Sequence, residues 1–108
     1  MFDGKYGTLS FEKPCSLSGD LEITGDADGC GCIKFESAGQ DISGLTLKVA
    51  DVSTFDTTKN IKFYKVVDAP KGYVGKFKAA DIPAHWRVEY DANAVYFCPE
   101  RGFVITIQ

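Results

Sequence analysis

Gly7-Thr8-Leu9-Ser10-Phe11, Gly19-Asp20-Leu21-Glu22-Ile23, Gly31-Cys32-Ile33-Lys34-Phe35 and Ser43-Gly44-Leu45-Thr46-Leu47 are four versions of one short string. Their apolar pairs fall at 9/11, 21/23, 33/35 and 45/47, a strict twelve-residue spacing of an apolar–polar–apolar triplet. Alternation with period two puts the apolar side chains on one face of an extended chain and the polar one on the other, so each triplet reads as a short, half-buried strand. Between the triplets lie Lys13-Pro14, Ser18-Gly19, the run from Gly25 to Gly31, and Ala38-Gly39-Gln40-Asp41, all of them turn chemistry. A meander of hairpins would show loops of varying length and recurrent tight two-residue signals, of which Asp28-Gly29 is the one example. Equal spacing instead suits strands that stack on their equivalents one coil later. The sequence therefore predicts a short parallel β-solenoid in which two repeats complete a coil, with a β-sandwich as the alternative.

The repeat stops near Val52. Beyond it come Asn60 to Val67, Tyr73 to Phe77, Trp86 to Tyr90, Ala94 to Cys98 and Phe103 to Ile107, five further β-rich runs. Asp91-Ala92-Asn93 reads as a tight loop between two of them. Lys78 to Pro83 has room for one helical turn, which Pro83 limits. No amphipathic helix of useful length is present, so the class is all-β. The reading is one domain over residues 1–108, with repeat-like strands over 1–52 and an aromatic-rich C-terminal cap over 53–108. Leu9, Phe11, Leu21, Ile23, Ile33, Phe35, Leu45 and Leu47 are expected inside, with Trp86 and Tyr90 closing the end of the stack.

Composition narrows the function. At 108 residues, 44% hydrophobic and 25% charged, the chain has the make-up of one folded unit. Twelve basic against fifteen acidic residues leave a net charge of −3, the wrong sign for a surface built to hold phosphate backbones or anionic lipid. Nucleic acid is not an expected partner. No apolar run reaches the roughly 18–20 residues of a membrane helix, so no membrane insertion is expected. The opening Met1-Phe2-Asp3-Gly4-Lys5-Tyr6 lacks the basic-then-apolar layout of a signal peptide.

The second half carries a resemblance. Leu45-Thr46-Leu47-Lys48-Val49, Ile61-Lys62-Phe63-Tyr64, Gly75-Lys76-Phe77, Ile82-Pro83-Ala84-His85-Trp86-Arg87-Val88-Glu89-Tyr90 and Asn93-Ala94-Val95-Tyr96-Phe97 follow one another. This succession resembles the end of the passenger region of autotransporter-associated β-strand repeat proteins. Pro83-x-x-Trp86-x-Val88-x-Tyr90 followed by Val95-Tyr96-Phe97 is its most specific part. The resemblance implies a secreted or cell-surface bacterial protein with a structural or adhesion role, whose parallel β-helix is capped by a segment such as this one. The implied partner is the rest of a longer passenger chain, or a second copy by self-association. The chain is shorter and richer in cysteine than that family's pattern, and it is expected to be a piece of a longer protein.

Chemistry-bearing residues are few. Cys15, Cys30, Cys32 and Cys98 form an even set, which reads as disulfides in an oxidising compartment or as free buried thiols; of the bonds, one from Cys15 to Cys30 or Cys32 is the expected one. Four thiolates could also complete a zinc shell, but one residue between Cys30 and Cys32 is too few for a zinc knuckle, and Cys15 and Cys98 stand alone. Asp26-Ala27-Asp28-Gly29 starts like a calcium loop yet runs into Cys30-Gly31-Cys32-Ile33 where further oxygen ligands are needed. His85 has no local nucleophile or orienting partner, and reads as a turn residue beside Trp86. Chance proximity explains pairs among fifteen acids, and no phosphate loop or dinucleotide fingerprint is present. No catalytic residue, metal or cofactor is expected. Tyr64, Tyr73, Trp86, Tyr90 and Tyr96, with Phe97, are the candidates for ligand contact. They support the alternative function, a small β-sandwich module that binds a glycan or protein through exposed aromatic faces.

Overall fold

The computed structural model describes residues 8–59 and 61–100. The first string's Gly7, Asn60 and the expected strand from Phe103 to Ile107 lie outside them. Twelve strands occur among the described residues: β1 (Thr8–Phe11), β2 (Gly19–Glu22), β3 (Gly25–Asp26), β4 (Gly29–Cys30), β5 (Cys32–Phe35), β6 (Gln40–Asp41), β7 (Leu45–Lys48), β8 (Lys65–Asp68), β9 (Tyr73–Val74), β10 (Ala79–Asp81), β11 (Trp86–Tyr90) and β12 (Ala94–Pro99). The chain is all-β. No helix among the described residues is long and apolar enough to cross a membrane.

All four triplets fall on strands, namely β1, β2, β5 and β7, with Ile23 one residue past the end of β2. Their pairing is parallel and long-range. β1 lies on β5 with Thr8 opposite Cys32, and β5 on β8 with Ile33 opposite Val67. β2 lies on β7 with Leu21 opposite Leu47, and β7 on β10 with Thr46 opposite Ala79. β6 lies on β9 with Gln40 opposite Tyr73. Partners in β1–β5 and β2–β7 are 24 and 26 residues apart, and those in β5–β8, β7–β10 and β6–β9 are 33 or 34. The repeat alone would set Leu21 against Leu45. The pairing has slipped by two residues because the corner containing β6 is longer than the corresponding corner of the preceding repeat. An even slip leaves every side chain on its own face, whereas a slip of one would turn the apolar set outward.

The last two strands break the parallel order. β12 runs antiparallel to β8, with a register shift at Val95/Tyr96, and β11 runs antiparallel to β12, giving a five-stranded sheet of order β1-β5-β8-β12-β11. Asp91 to Asn93 form the expected tight loop, closed by the Asp91 N–H donating to the Ala94 carbonyl at 2.8 Å. β3 and β4 make the short hairpin signalled by Asp28-Gly29. The stretch from Lys78 to Pro83 holds β10 rather than a helical turn, since Ala79 to Asp81 pair with β7. Of the two runs from Asn60 to Val67 and from Tyr73 to Phe77, only 65–67 and 73–74 are extended in strands. Gly75, at φ +79°, ends the second of these in the left-handed region that side chains avoid.

One apolar core joins the sheets. Ile23, Ile33, Phe35, Leu45 and Leu47 are buried as expected, together with Ile42, Val49, Val67, Val95 and Phe97. Phe11 and Leu21 are only partly buried, and Leu9 is 54% exposed. Leu9 is thus not interior. β1 and β2 are the outer strands of their sheets, and no described strand covers their far sides.

Leu47 and Leu9 present the same side chain from corresponding strands in opposite surroundings. Leu47→Ala is expected to cost about 2–5 kcal/mol in urea unfolding, and Leu9→Ala less than about 0.5 kcal/mol. Equal losses would show that the open side of β1 is covered.

Candidate functional site

The aromatic weight of the second half gathers at one place. The Trp86 ring stacks on Phe97 with centroids 4.6 Å apart and planes 10° from parallel. Phe55 meets both edge-on at 5.6 Å and lies 4.7 Å from Tyr64. Tyr64 is buried to 1% exposure, yet its hydroxyl is fully used: it donates to the Asp26 carbonyl at 2.7 Å and accepts the Asp56 N–H at 2.7 Å. One phenol thus ties the β3–β4 hairpin to the loop after Val52. Close by, a Cβ on Gly25 would fall 2.9 Å from the Phe55 ring and 2.6 Å from the Gly29 carbonyl, so only glycine lets the hairpin pack there.

The candidate ligand-contact rings are therefore not a free face. Tyr64, Trp86 and Tyr96 are buried, and Tyr73 and Tyr90 are partly so. Tyr73 donates its hydroxyl to the Asp91 carbonyl at 2.6 Å, and Tyr90 accepts the Phe77 N–H at 3.1 Å. The Lys76 ammonium lies 5.2 Å from the centre of the Tyr90 ring. Tyr90 and Tyr96 do share a shallow depression of ≈ 150 Å³ with Ile61, Lys62, Glu89 and Asp91. Two of the five candidates thus border the same open space.

The four cysteines are free thiols, Cys15 exposed, Cys30 and Cys32 partly buried and Cys98 buried. The expected bond from Cys15 to Cys30 or Cys32 is not formed. Cys15 is held elsewhere, by the buried Gln40 side chain, whose Oε1 accepts the Cys15 N–H at 2.9 Å while its Nε2 donates to the Cys15 carbonyl at 2.7 Å. Cys30 points its sulfur at the Lys65 carbonyl, 3.6 Å away. Burial, and secondly the neighbouring Cys32, push the Cys30 thiol up to about 12. Burial raises Cys32 to about 11, helped by the Asp68 carboxylate and opposed by Lys65 and Lys34. Neither is an activated thiolate. Among the described residues no three metal-ligating side chains come together. His85 occupies a turn with φ 69°, and its carbonyl accepts the Glu100 N–H at 2.8 Å.

Two features are at most partly legible in the sequence. One is a series of aspartate turns in which a carboxylate accepts the N–H two residues on: Asp26 to Asp28, Asp41 to Ser43, Asp51 to Ser53 and Asp56 to Thr58. The Ser43 and Thr58 hydroxyls, and the Ser53 backbone N–H, lead in holding Asp41, Asp56 and Asp51 below the usual carboxylate range. For Asp41, Asp51 and Asp56 the signal is Asp-x-Ser or Asp-x-Thr at the corners, whereas Asp26 lies in a stretch that already reads as a turn. The other is an open groove of ≈ 330 Å³ between β1, the end of β2 and the start of β5, bordered by Leu9, Leu21, Glu22, Ile23, Gly31 and Cys32. No protein-family model, curated protein or solved structure matches the chain.

The raised thiols set a pH dependence. Native Cys30 and Cys32 keep their protons to higher pH than the unfolded chain, whose thiols titrate near 9.0. Their contribution is complete below that value and is lost as pH climbs toward about 11 and then about 12. The urea midpoint is expected to fall between about pH 8 and about pH 10, and to fall less in Cys30→Ala/Cys32→Ala. Tyr73 and Tyr90, also raised by burial, act in both proteins alike. Identical pH slopes would show that the thiols are solvated.

Proposed function

We propose that the chain is a non-enzymatic structural segment, the capping end of a β-solenoid in a secreted or surface-displayed bacterial protein. The observation that carries this is the change in pairing along the chain. Three parallel columns, β1-β5-β8, β2-β7-β10 and β6-β9, recur in the same chain order. They are then followed by an antiparallel hairpin that takes the free edge of β8. A repeat that adds parallel strands at intervals is a coil, and a hairpin laid on the last coil stops it from adding another.

The aromatic cluster supports the same role. Trp86 and Phe97, from the two strands of the hairpin, stack on each other and pack against Phe55 and Tyr64, which precede β8. Rings used in this way contribute area to burial and fix the hairpin's position. The resemblance of Pro83-x-x-Trp86-x-Val88-x-Tyr90 to the end of autotransporter-associated passengers falls on the same hairpin. A β-sandwich module binding glycan through aromatic faces has less in its favour, because three of its five rings are buried.

The reading fixes what the native polypeptide should be. An antibody raised against this chain is expected to reveal, in the surface fraction or culture fluid of the source cells, a band far above 11.8 kDa. A band of about that mass confined to the cell interior would overturn the proposal.

A further inference from the structure

The two ends of the columns differ. At one end, β12 and β11 occupy the edge of the five-stranded sheet, with Trp86 stacked over Phe97. At the other, β1 and β2 are both outer strands, consecutive in the chain and parallel to their inner neighbours. Leu9 is 54% exposed there, and with Leu21 and Ile23 it borders the ≈ 330 Å³ groove that opens between the two strands. An edge that no described strand pairs, beside the exposed Leu9, is the arrangement that strand addition fills.

Charge decides what can fill it. In the three-stranded column Glu22 stands opposite Lys48, and Lys48 opposite Asp81. The open edge therefore presents the acidic Glu22, with Asp20 on the same side of β2. Two copies pairing antiparallel through β2, with Leu21 against Leu21, would set each Asp20 against the other copy's Glu22. A copy adding its β2 to β10 in the running register would set Glu22 beside Asp81. Like charges directly opposite are destabilising in either arrangement. The inner edge of β2 meets the complementary case, an apolar Leu47 against Leu21 and a basic Lys48 against Glu22.

We infer that the outer edge of β2 is a docking site for an extended, parallel protein segment carrying an apolar residue opposite Leu21 and a lysine or arginine opposite Glu22. This rests on the solenoid reading above, in which such a segment is a preceding coil. It goes further by naming the strand, the register and the charge, and by excluding a second copy as the occupant.

The probe is a synthetic peptide with the sequence of residues 44–49, which already pairs with the inner edge of β2 through its β7 counterpart, and a version with Lys48→Glu. Titrated into the isotope-labelled full chain, the lysine peptide is expected to shift backbone amides of residues 8–11 and 19–24, about fivefold more tightly than the glutamate peptide. Glu22→Lys, whose amide spectrum reports its folding, should reverse that preference. Shifts confined to β10 or β11, an unchanged preference in Glu22→Lys, or no saturable shift would overturn the site. A dimer in sedimentation through β2 would overturn it in favour of a second copy. The mass of the native polypeptide reports separately on the solenoid reading. A large polypeptide with no peptide shift sinks the docking site alone, and a specific shift with a native chain of about this length sinks the capping role alone.

Discussion

A strand hydrogen-bonded on one side leaves a row of donors and acceptors on the other, and the whole arrangement of this chain follows from where those rows are satisfied. β5, β7, β8 and β12 are paired on both sides, and they carry the most buried side chains: Ile33, Phe35, Leu45, Leu47, Val66, Val67, Val95 and Phe97. β1, β2, β10 and β11 are paired on one side, and exposure rises in all four. Parallel pairing forces the partners to be far apart in sequence, because the chain must travel round before it can return in the same direction. The core therefore depends on contacts 24 to 34 residues apart, and the corners between strands have to be held in place without strand pairing.

Side chains hold them. Gln40 is the one buried polar residue among those described, and both ends of its amide are used on the backbone of Cys15, fixing the loop before β2 to the corner that holds β6. Tyr64 does the equivalent service for the β3–β4 hairpin and the loop at Asp56. Each leaves no buried donor or acceptor unpaired, which is the condition for placing an amide or a phenol in a core at all. Exposed aspartates close the remaining corners on their own N–H groups two residues later.

Which parts of this were legible follows from the range of the interaction. The four triplets announce themselves because alternation is local, and the strands β1, β2, β5 and β7 stand where the repeat puts them. Trp86 to Tyr90, Asp91 to Asn93 and Ala94 to Cys98 are legible for the same reason, a hairpin being the shortest-range pairing available. β10 was not, since Ala79-Ala80-Asp81 has no strand propensity and is extended only because β7 offers an edge. Tyr64 sits in a β-rich run but bends out of it, as its hydroxyl is committed to Asp26, 38 residues away in sequence. The aromatics were visible as a group, but composition does not tell a ring that packs from a ring that waits for a ligand. The cysteines misled for a related reason: an even count suggests pairing, whereas the fold sends Cys15 to Gln40, Cys30 to the Lys65 carbonyl and Cys98 into the core.

The outward face of the columns adds a polarity that the apolar core lacks. Ser10, Lys34 and Asp68 succeed one another across β1, β5 and β8, as Glu22, Lys48 and Asp81 do across β2, β7 and β10. In each column a lysine in the middle strand faces an acid in the last. Hydrophobic burial is indifferent to direction and would let strands stack in either order or slip by two. A cross-strand charge is not indifferent: a two-residue slip of β10 along β7 would remove Asp81 from Lys48 while costing the core little. The exposed pairs contribute modestly to stability, so their larger effect is on register. The core supplies the cohesion, and in the two three-stranded columns opposite charges in register favour the alignment that reads from acid or hydroxyl through lysine to aspartate.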